Sequence, residues 1–393
     1  MVYQEEFGVE RWMDKYEHKV DLNISETCCD SITLGELAQL SDSHPPFDKV
    51  LNTKLTYGPI PGSDELRNIV AEIHNDSSKG SIMVGKDNVV LANGAISANF
   101  IVWYSLVGPE DHVICVNPVY QQLKSVPKMF GADVSLLNLK KENNFLPDLD
   151  ELRALVKKGK TKMIVINNPH NSTGTVIPQG MMLEIVEIAR AADIYLMCDE
   201  VYRPLYHSLP AGDEAPSSVC TLYSKGISTC STSKAFSMAG LRVGWIVSSD
   251  SKAMAAFISK RDYSMISISQ VDDALACWAL TNRKYVLERS EDICLQGLAL
   301  FDAFIGASHG AVSWVRPVGG SVLLLFIKGI CDTETFCANV AAKKSLLLVP
   351  GECFDTPGAV RIGFGTEPRL LRAGLERLAE YLQENQGATF GPW

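Results

Sequence analysis

The sequence predicts an α/β protein: a large domain with a mostly parallel sheet covered by helices, and a smaller α+β domain beside it. Three observations lead there. Between about residues 88 and 247, short apolar segments alternate with helical ones. Those segments are apolar on both faces, as in Val113 to Val116, which is the pattern of strands covered on both sides. At 393 residues the chain is also too long for one compact core.

The elements follow in order. Residues 1–40 are mixed and polar, with a short helix expected over Val9 to Tyr16. His44-Pro45-Pro46 then punctuates the chain. Ser63 to His74 reads as a helix, with Ser63 as its cap and Leu66, Ile69, Val70 and Ile73 on one face. Asn88 to Ala92 reads as a strand and Ser97 to Leu106 as a helix. Val113 to Val116 is a strand, Tyr120 to Phe130 a helix and Val134 to Leu139 a strand. Further strands are expected at Lys162 to Ile166, Ile194 to Cys198, Gly226 to Cys230 and Gly244 to Val247. After about residue 280 comes a helical region, then an α+β segment ending in a helix from Arg369 to Glu384. Residues 45–280 are accordingly expected to form the large domain, and 1–44 with 281–393 the small one. There is no internal repeat or low-complexity segment.

Composition narrows the function. A hydrophobic fraction of 46% and a charged fraction of 21% are ordinary for a globular protein. The net charge of -10, without a basic block, opposes binding to nucleic acid. The longest apolar runs, such as Val322 to Ile327, are too short to span a bilayer. The start, Met-Val-Tyr-Gln-Glu-Glu, has neither a basic n-region nor an apolar h-region, so a cytoplasmic location is expected. The 11 cysteines lack paired spacing, which fits reduced thiols better than zinc ligands or a disulfide framework. No metal site is expected.

Parallel sheets bind ligands beyond the carboxyl ends of their strands, and the chemically informative residues fall there. Ser231-Thr232-Ser233-Lys234 follows one strand, with Arg242 eight positions after the lysine. A lysine can form an imine with an aldehyde, while hydroxyls and a guanidinium suit a phosphate dianion. Alone, the segment also fits a surface loop with a solvated lysine. Three other strand ends add to it. Asp199 can bond a pyridinium nitrogen and keep it protonated. Asn171 and Tyr202 can donate to a phenolate oxygen. Asn93-Gly94-Ala95-Ile96 opens a helix whose first amides form an anion site.

This ordered set resembles the class I/II aminotransferase family of fold-type I enzymes dependent on pyridoxal 5′-phosphate (PLP), over nearly the whole chain. The family's Asn-x-Pro-x-Asn-Pro-x-Gly pattern is met by Asn167 to Gly174, except that Ser172 replaces the second proline. Asp199 and Tyr202 meet its Asp-x-x-Tyr, and Ser231, Ser233, Lys234 and Arg242 meet its lysine motif. Val349-Pro350-Gly351, followed by Val360-Arg361-Ile362-Gly363-Phe364, resembles the carboxylate-binding arginine strand. Tyr57-Gly58, with Gly62 and Leu66-Arg67, resembles the element that reaches the neighbouring subunit's site. Proline after the Asn often follows a cis bond. Before serine a cis bond costs about 2.5–4 kcal/mol, so either this turn is trans or strain is retained.

The resemblance implies roles. Lys234 carries PLP as a Schiff base and moves the substrate proton, Asp199 bonds the pyridine nitrogen, and Asn171 and Tyr202 flank the ring oxygen. Ser231, Ser233, Arg242 and the backbone of Gly94, Ala95 and Ile96 hold the phosphate. Tyr120 stacks on the ring, though it also reads as a core tyrosine. Tyr57 serves the partner's phosphate in a homodimer, though it also reads as a turn aromatic. Arg361 clamps the α-carboxylate of an amino-acid substrate, with Asn171 beside it.

The implied activity is amino-group transfer from an α-amino acid to a 2-oxo acid. The N-terminal segment adds an alternative. Glu10 to Tyr16, Val20 to Glu26 and Ser31 to Leu37 resemble the start of capreomycidine synthase, a cyclase of the same fold acting on a hydroxylated arginine. A PLP-dependent cyclase, lyase or oxidase of specialised metabolism is therefore the second reading, with Ser25, Glu26 and Thr27 as candidate substrate contacts. No clear second arginine marks a dicarboxylate substrate; Arg11 and Arg203 are the candidates. Some DNA-binding regulators carry a similar domain, but the motifs start by Tyr57 and leave no room for a separate DNA-binding head.

Overall fold

The fold, taken from a computed structural model, describes residues 4–76 and 79–393. Met1 to Tyr3, the start of the stretch read for a leader, lie outside the described residues.

Seven strands form the central sheet: β1 (Val89–Ala92), β2 (His112–Asn117), β3 (Asp133–Asn138), β4 (Thr161–Asn167), β5 (Tyr195–Asp199), β6 (Gly226–Ser231) and β7 (Gly244–Ser248). Their order is β1-β7-β6-β5-β4-β2-β3, and every strand except β7 points the same way. β1, β6 and β7 have no exposed residue, nor do β2 and β4, which is why they read as continuous apolar runs. The orientation of β7 matters for the site. Running antiparallel, it starts where its neighbours end, with Gly244 opposite both Ser231 and Ala92. Arg242 therefore lies at the same edge as the ends of β1 and β6.

A second, antiparallel sheet contains β8 (Val312–Trp314), β9 (Val322–Ile327), β10 (Val349–Pro350) and β11 (Ala359–Gly363), in the order β10-β11-β9-β8. Arg361 sits in β11 between Leu324 and Val349. Leu22–Asn23 pairs in parallel with Leu346–Leu347. That pairing delivers residues 24–27 to the second sheet, where Ile24 O accepts from Gly363 N at 2.8 Å and Thr27 O from Ser321 Oγ at 2.7 Å.

Helices pack against the strands. α1 (Gly8–Tyr16) buries Val9 and Trp12, and the Trp12 indole donates to Leu348 O at 2.8 Å. α2 (Asp64–Asn75) is capped as expected by Ser63, whose Oγ accepts from Leu66 N at 3.1 Å. α3 (Gly94–Leu106) starts three residues before the expected Ser97 because its glycine turns directly out of β1. The 25-residue α4 (Arg283–Ala307) and the closing α5 (Pro368–Gln386) lie against one another. The helix expected from Tyr120 begins at Gln122. All 11 cysteines are free, and Cys115 and Cys198 are buried as expected. Among the described residues no helix is long and apolar enough to cross a membrane.

Candidate active site

The carboxyl edge of the central sheet, with α1 and residues 25–27 opposite it, encloses a cavity of about 410 Å³. Asp199, the last residue of β5, is buried at its base. Its Oδ2 accepts from Asn99 Nδ2 at 3.0 Å and its Oδ1 from Val201 N at 3.2 Å. Thr229 donates to Asn99 Oδ1 at 2.6 Å, which orients the amide so that its nitrogen faces Asp199. Desolvation raises the Asp199 pKa to about 6, against the opposing pull of these hydrogen bonds and of Lys234.

Asn171 is positioned by the turn after β4. Its backbone N–H donates to Asn167 Oδ1 at 2.5 Å, and Asn167 Nδ2 donates to Asp199 O at 2.7 Å. His170 fastens the turn: its Nε2 donates to Pro118 O at 2.8 Å, so its Nδ1 accepts from Thr173 at 2.9 Å. Burial lowers the His170 pKa to about 4, in keeping with this neutral tautomer. The cis bonds among the described residues are Asn117–Pro118, Asn168–Pro169 and Arg203–Pro204. The bond before Ser172 is trans, which settles the alternative left open by the missing proline.

Among the described residues Lys234 is the one lysine lining the cavity, and its Nζ donates to Thr27 Oγ1 and, at 3.5 Å, to Cys28 Sγ. Around it, Ser231, Ser233, Ala95, Ile96 and Arg242 form one wall. No side chain caps the first amides of α3. Gly94 has φ +75°, and a Cβ there would meet Arg242 Nη2 at 2.6 Å. A Cβ on Gly244 would strike the Gly94 carbonyl carbon at 2.3 Å. Glycine at both places lets the guanidinium, the helix end and the two strands converge.

Tyr120 lines the cavity, with Phe7 edge-on at 5.0 Å and Glu10 3.4 Å from its hydroxyl; burial raises its pKa. Arg361 is buried, lines the cavity, donates to Ser25 O at 3.1 Å and lies 4.9 Å over the Phe354 ring. Burial lowers its pKa, and its Nε has no hydrogen-bond partner.

The remaining expected site residues are placed less directly. Tyr202 is fully buried behind the cavity wall beside Thr27 and Gly320. Ser25 contributes its backbone, since its hydroxyl donates to Asn23 Oδ1 at 2.8 Å and faces Leu347 O at 3.3 Å. Glu26 lines the cavity. Tyr57 is 71% exposed and lies outside the cavity of its own chain. Neither candidate second arginine reaches the cavity: Arg11 pairs with Asp14 on the exposed face of α1, and buried Arg203 pairs with Glu200 at 3.1 Å. Sequence reasoning missed Asn99, Thr229, His170 and Cys28. Asn99 sits one helical turn after Ala95, the spacing that returns a side chain to the same face.

An edge of this kind is built for a phosphorylated pyridine aldehyde, and it defines a PLP-dependent enzyme. The chain belongs to the aminotransferase class I and II family, which residues 18–378 match. It is 26% identical to capreomycidine synthase of Streptomyces vinaceus over 95% of this chain and 93% of that protein. It is 30% identical to an aspartate aminotransferase of Thermotoga maritima over 82% of each. A solved PLP-dependent aminotransferase from Streptococcus suis superposes with a TM-score of 0.90 at 36% identity, covering 99% of both chains. The cofactor is PLP. The residues present fit it. The Tyr202 hydroxyl, a donor, is buried without a well-formed partner, and the helix end beside Arg242, where Asn93 makes no capping bond, suits its phosphate.

Proposed function

We propose that the protein transfers the amino group of an α-amino acid to a 2-oxo acid. One observation carries the reading: Lys234, Asp199 and the buried, partly unpartnered Arg361 face the same cavity. PLP, when bound, supplies an electron sink for the pair of electrons left at Cα. Arg361 takes the substrate α-carboxylate by a two-point contact, and Asn171 lies next to both. The Lys234 amine would take the substrate Cα proton and hold it for return. Asp199 would keep the pyridine nitrogen protonated, Asn171 and Tyr202 would hold the ring oxygen, and Tyr120 would offer an aromatic face to the ring. Ser231, Ser233, Arg242 and the amides of Ala95 and Ile96 hold the phosphate. The same reading assigns residues 45–280 to a large PLP-binding domain and 1–44 with 281–393 to a small one. It places the protein in the cytoplasm, where its eleven free thiols suit a reducing compartment.

A second reading, cyclisation or elimination at the same cofactor, is favoured by one feature. Val9, Glu10, Met13, Glu17 and residues 25–27 line the cavity, and most of them belong to the N-terminal segments that resemble capreomycidine synthase. Mass spectrometry of products from a panel of amino acids separates the two. Without a 2-oxo acid, an aminotransferase stops after about one turnover per subunit, and pyruvate or 2-oxoglutarate restores turnover. Continued turnover without an acceptor, to a cyclised, eliminated or oxidised product, would replace the first reading by the second.

We also propose a homodimer with Tyr57 completing the partner's phosphate site. Support comes from the exposed apolar side chains of Phe47, Leu51, Leu55, Tyr57 and Ile60, and of Tyr263 and Ile266 in the segment leading to Gln270. The Gln270 amide holds the Tyr57 loop by donating to Lys54 O and Thr56 O at 3.1 and 2.7 Å. Sedimentation at assay concentration should give twice the chain mass. Tyr57→Ala and Lys234→Ala should each be nearly inactive, yet random pairing of equal amounts should restore roughly a quarter of wild-type activity. Half of the dimers are then mixed, and each mixed dimer holds one intact site. No restoration would show that Tyr57 serves its own chain.

A further inference from the structure

We propose that the cavity selects an α-amino acid whose side chain ends in a cation, received by Glu10, Glu17 and Glu26. The inference rests on the reading in which Arg361 holds the α-carboxylate and Lys234 faces Cα. The ionic side chains of the cavity are Lys234, Arg242 and Arg361 against Asp199, Glu10, Glu17 and Glu26. Lys234, Asp199 and Arg242 are taken up by the cofactor, and Arg361 by the α-carboxylate. Three carboxylates remain, and none of them belongs to the cofactor site.

Their placement suits a substrate side chain. Glu26 follows Ser25, whose carbonyl accepts from Arg361, so it stands next to the carboxylate clamp. Val9, Met13 and Glu17 follow one another at four-residue spacing along α1 and the turn after it, with Glu10 beside them, so one helical face lines the cavity. The apolar Val9 and Met13 can pack a methylene stem while the carboxylates meet its charged end. None of the three glutamates forms a salt bridge with a lysine or arginine among the described residues, although Glu26 lies close enough to Arg361 to act on it. Glu26 accepts from Asn23 at 3.3 Å, Glu10 faces the Tyr120 hydroxyl at 3.4 Å, and Glu17 meets only the exposed ring of its neighbour His18 at 3.3 Å. A guanidinium or ammonium ion would give these carboxylates a counter-charge on the substrate. A second carboxylate on the substrate would face like charge and find no arginine, since Arg11 and Arg203 are engaged elsewhere.

L-Arginine and L-citrulline have nearly the same shape and differ in charge, which makes them the deciding pair. Using holoenzyme, the rate of solvent deuterium entry at Cα and the calorimetric dissociation constant are measured for both, with L-lysine, L-norleucine and L-aspartate alongside. Arginine and lysine should bind and exchange at least about tenfold better than citrulline and norleucine, and aspartate worst. Glu10→Gln, Glu17→Gln and Glu26→Gln should each lower the arginine-to-citrulline ratio about threefold to fivefold, as fits partly exposed carboxylates, and the triple variant should bring it near one. Because each variant is read as a ratio, partial misfolding cancels. A wild-type ratio near one, or a ratio the triple variant leaves unchanged, overturns the proposal. Absence of exchange with every amino acid overturns the functional reading instead, and the binding ratio then still decides between cation selection and none.

Discussion

Lys234→Ala should purify without the yellow colour of the wild type and exchange no Cα hydrogen with any amino acid. The expected loss is at least about 10⁴-fold, since one side chain provides both the covalent attachment and the proton transfer. Borohydride reduction of the wild type should leave a pyridoxyl group on Lys234 and on no other lysine. The cavity explains the selectivity: Lys234 is its one lysine, held by Thr27 Oγ1 and Cys28 Sγ. The surrounding loop does not depend on the side chain. Thr232 Oγ1 donates to Met238 O at 3.1 Å, Met238 N to Thr232 O at 2.9 Å and Thr232 N to Val243 O at 3.0 Å. Lys234→Ala should therefore fold, and its thermal unfolding provides the control. Lys234→Arg should be equally inactive, because it restores the charge without an amine that can form an imine. A label mapped by peptide mass spectrometry to another lysine would remove the central assignment.

The parts of this site that could be read in the sequence are those attached to strand ends. Strands buried on both faces announce themselves as apolar runs, and the residue after each run is then placed at one edge by the topology alone. Asp199, Asn171, Lys234 and the Gly94 turn were legible for that reason, and so was the cap at Ser63. What escaped depends on contacts between elements far apart in the chain. Asn99 reads as an ordinary helix polar residue until α3 packs over β6 and β7 and its amide meets Asp199 at the end of β5. The reversal of β7 leaves no mark in an apolar run, yet it is what carries Arg242 to the edge shared with Gly94. Arg203 follows Tyr202 by one position and could have faced the substrate, but Glu200 draws it into the core. The N-terminal wall is legible only as a resemblance, since its place opposite Lys234 depends on contacts with distant parts of the chain, such as Leu22 with Leu346 and Trp12 with Leu348.

Asp199→Asn should move stability and activity in opposite directions. With protein groups alone around it, burial raises the Asp199 pKa to about 6, whereas an aspartate in the unfolded chain titrates near about 3.9. Between these values the folded protein binds the proton and the unfolded chain does not. Stability from this group is therefore complete below about pH 4 and is lost as the pH rises through about 6. The loss amounts to ~3 kcal/mol at most. Asparagine has no proton to lose, so the cofactor-free variant should unfold at higher urea than cofactor-free wild type at pH 7.5, with the difference shrinking towards pH 5. Adding PLP reverses the order. Ionised Asp199 then gains the pyridinium as a counter-charge, and asparagine cannot keep that nitrogen protonated. Turnover of the variant should fall roughly 10²–10³-fold, the scale seen when one preorganised electrostatic partner of a reacting group is removed. Urea titrations of both proteins at pH 5 and 7.5, with and without PLP, paired with Cα exchange rates, test the two halves separately. Equal cofactor-free stability at both pH values would show that Asp199 is ionised without strain. Retained exchange in the variant would show that the ring nitrogen is served by another group. Asn99 is the residue to vary next in that case, because its amide is the closest donor the sheet edge brings to that carboxylate, at 3.0 Å.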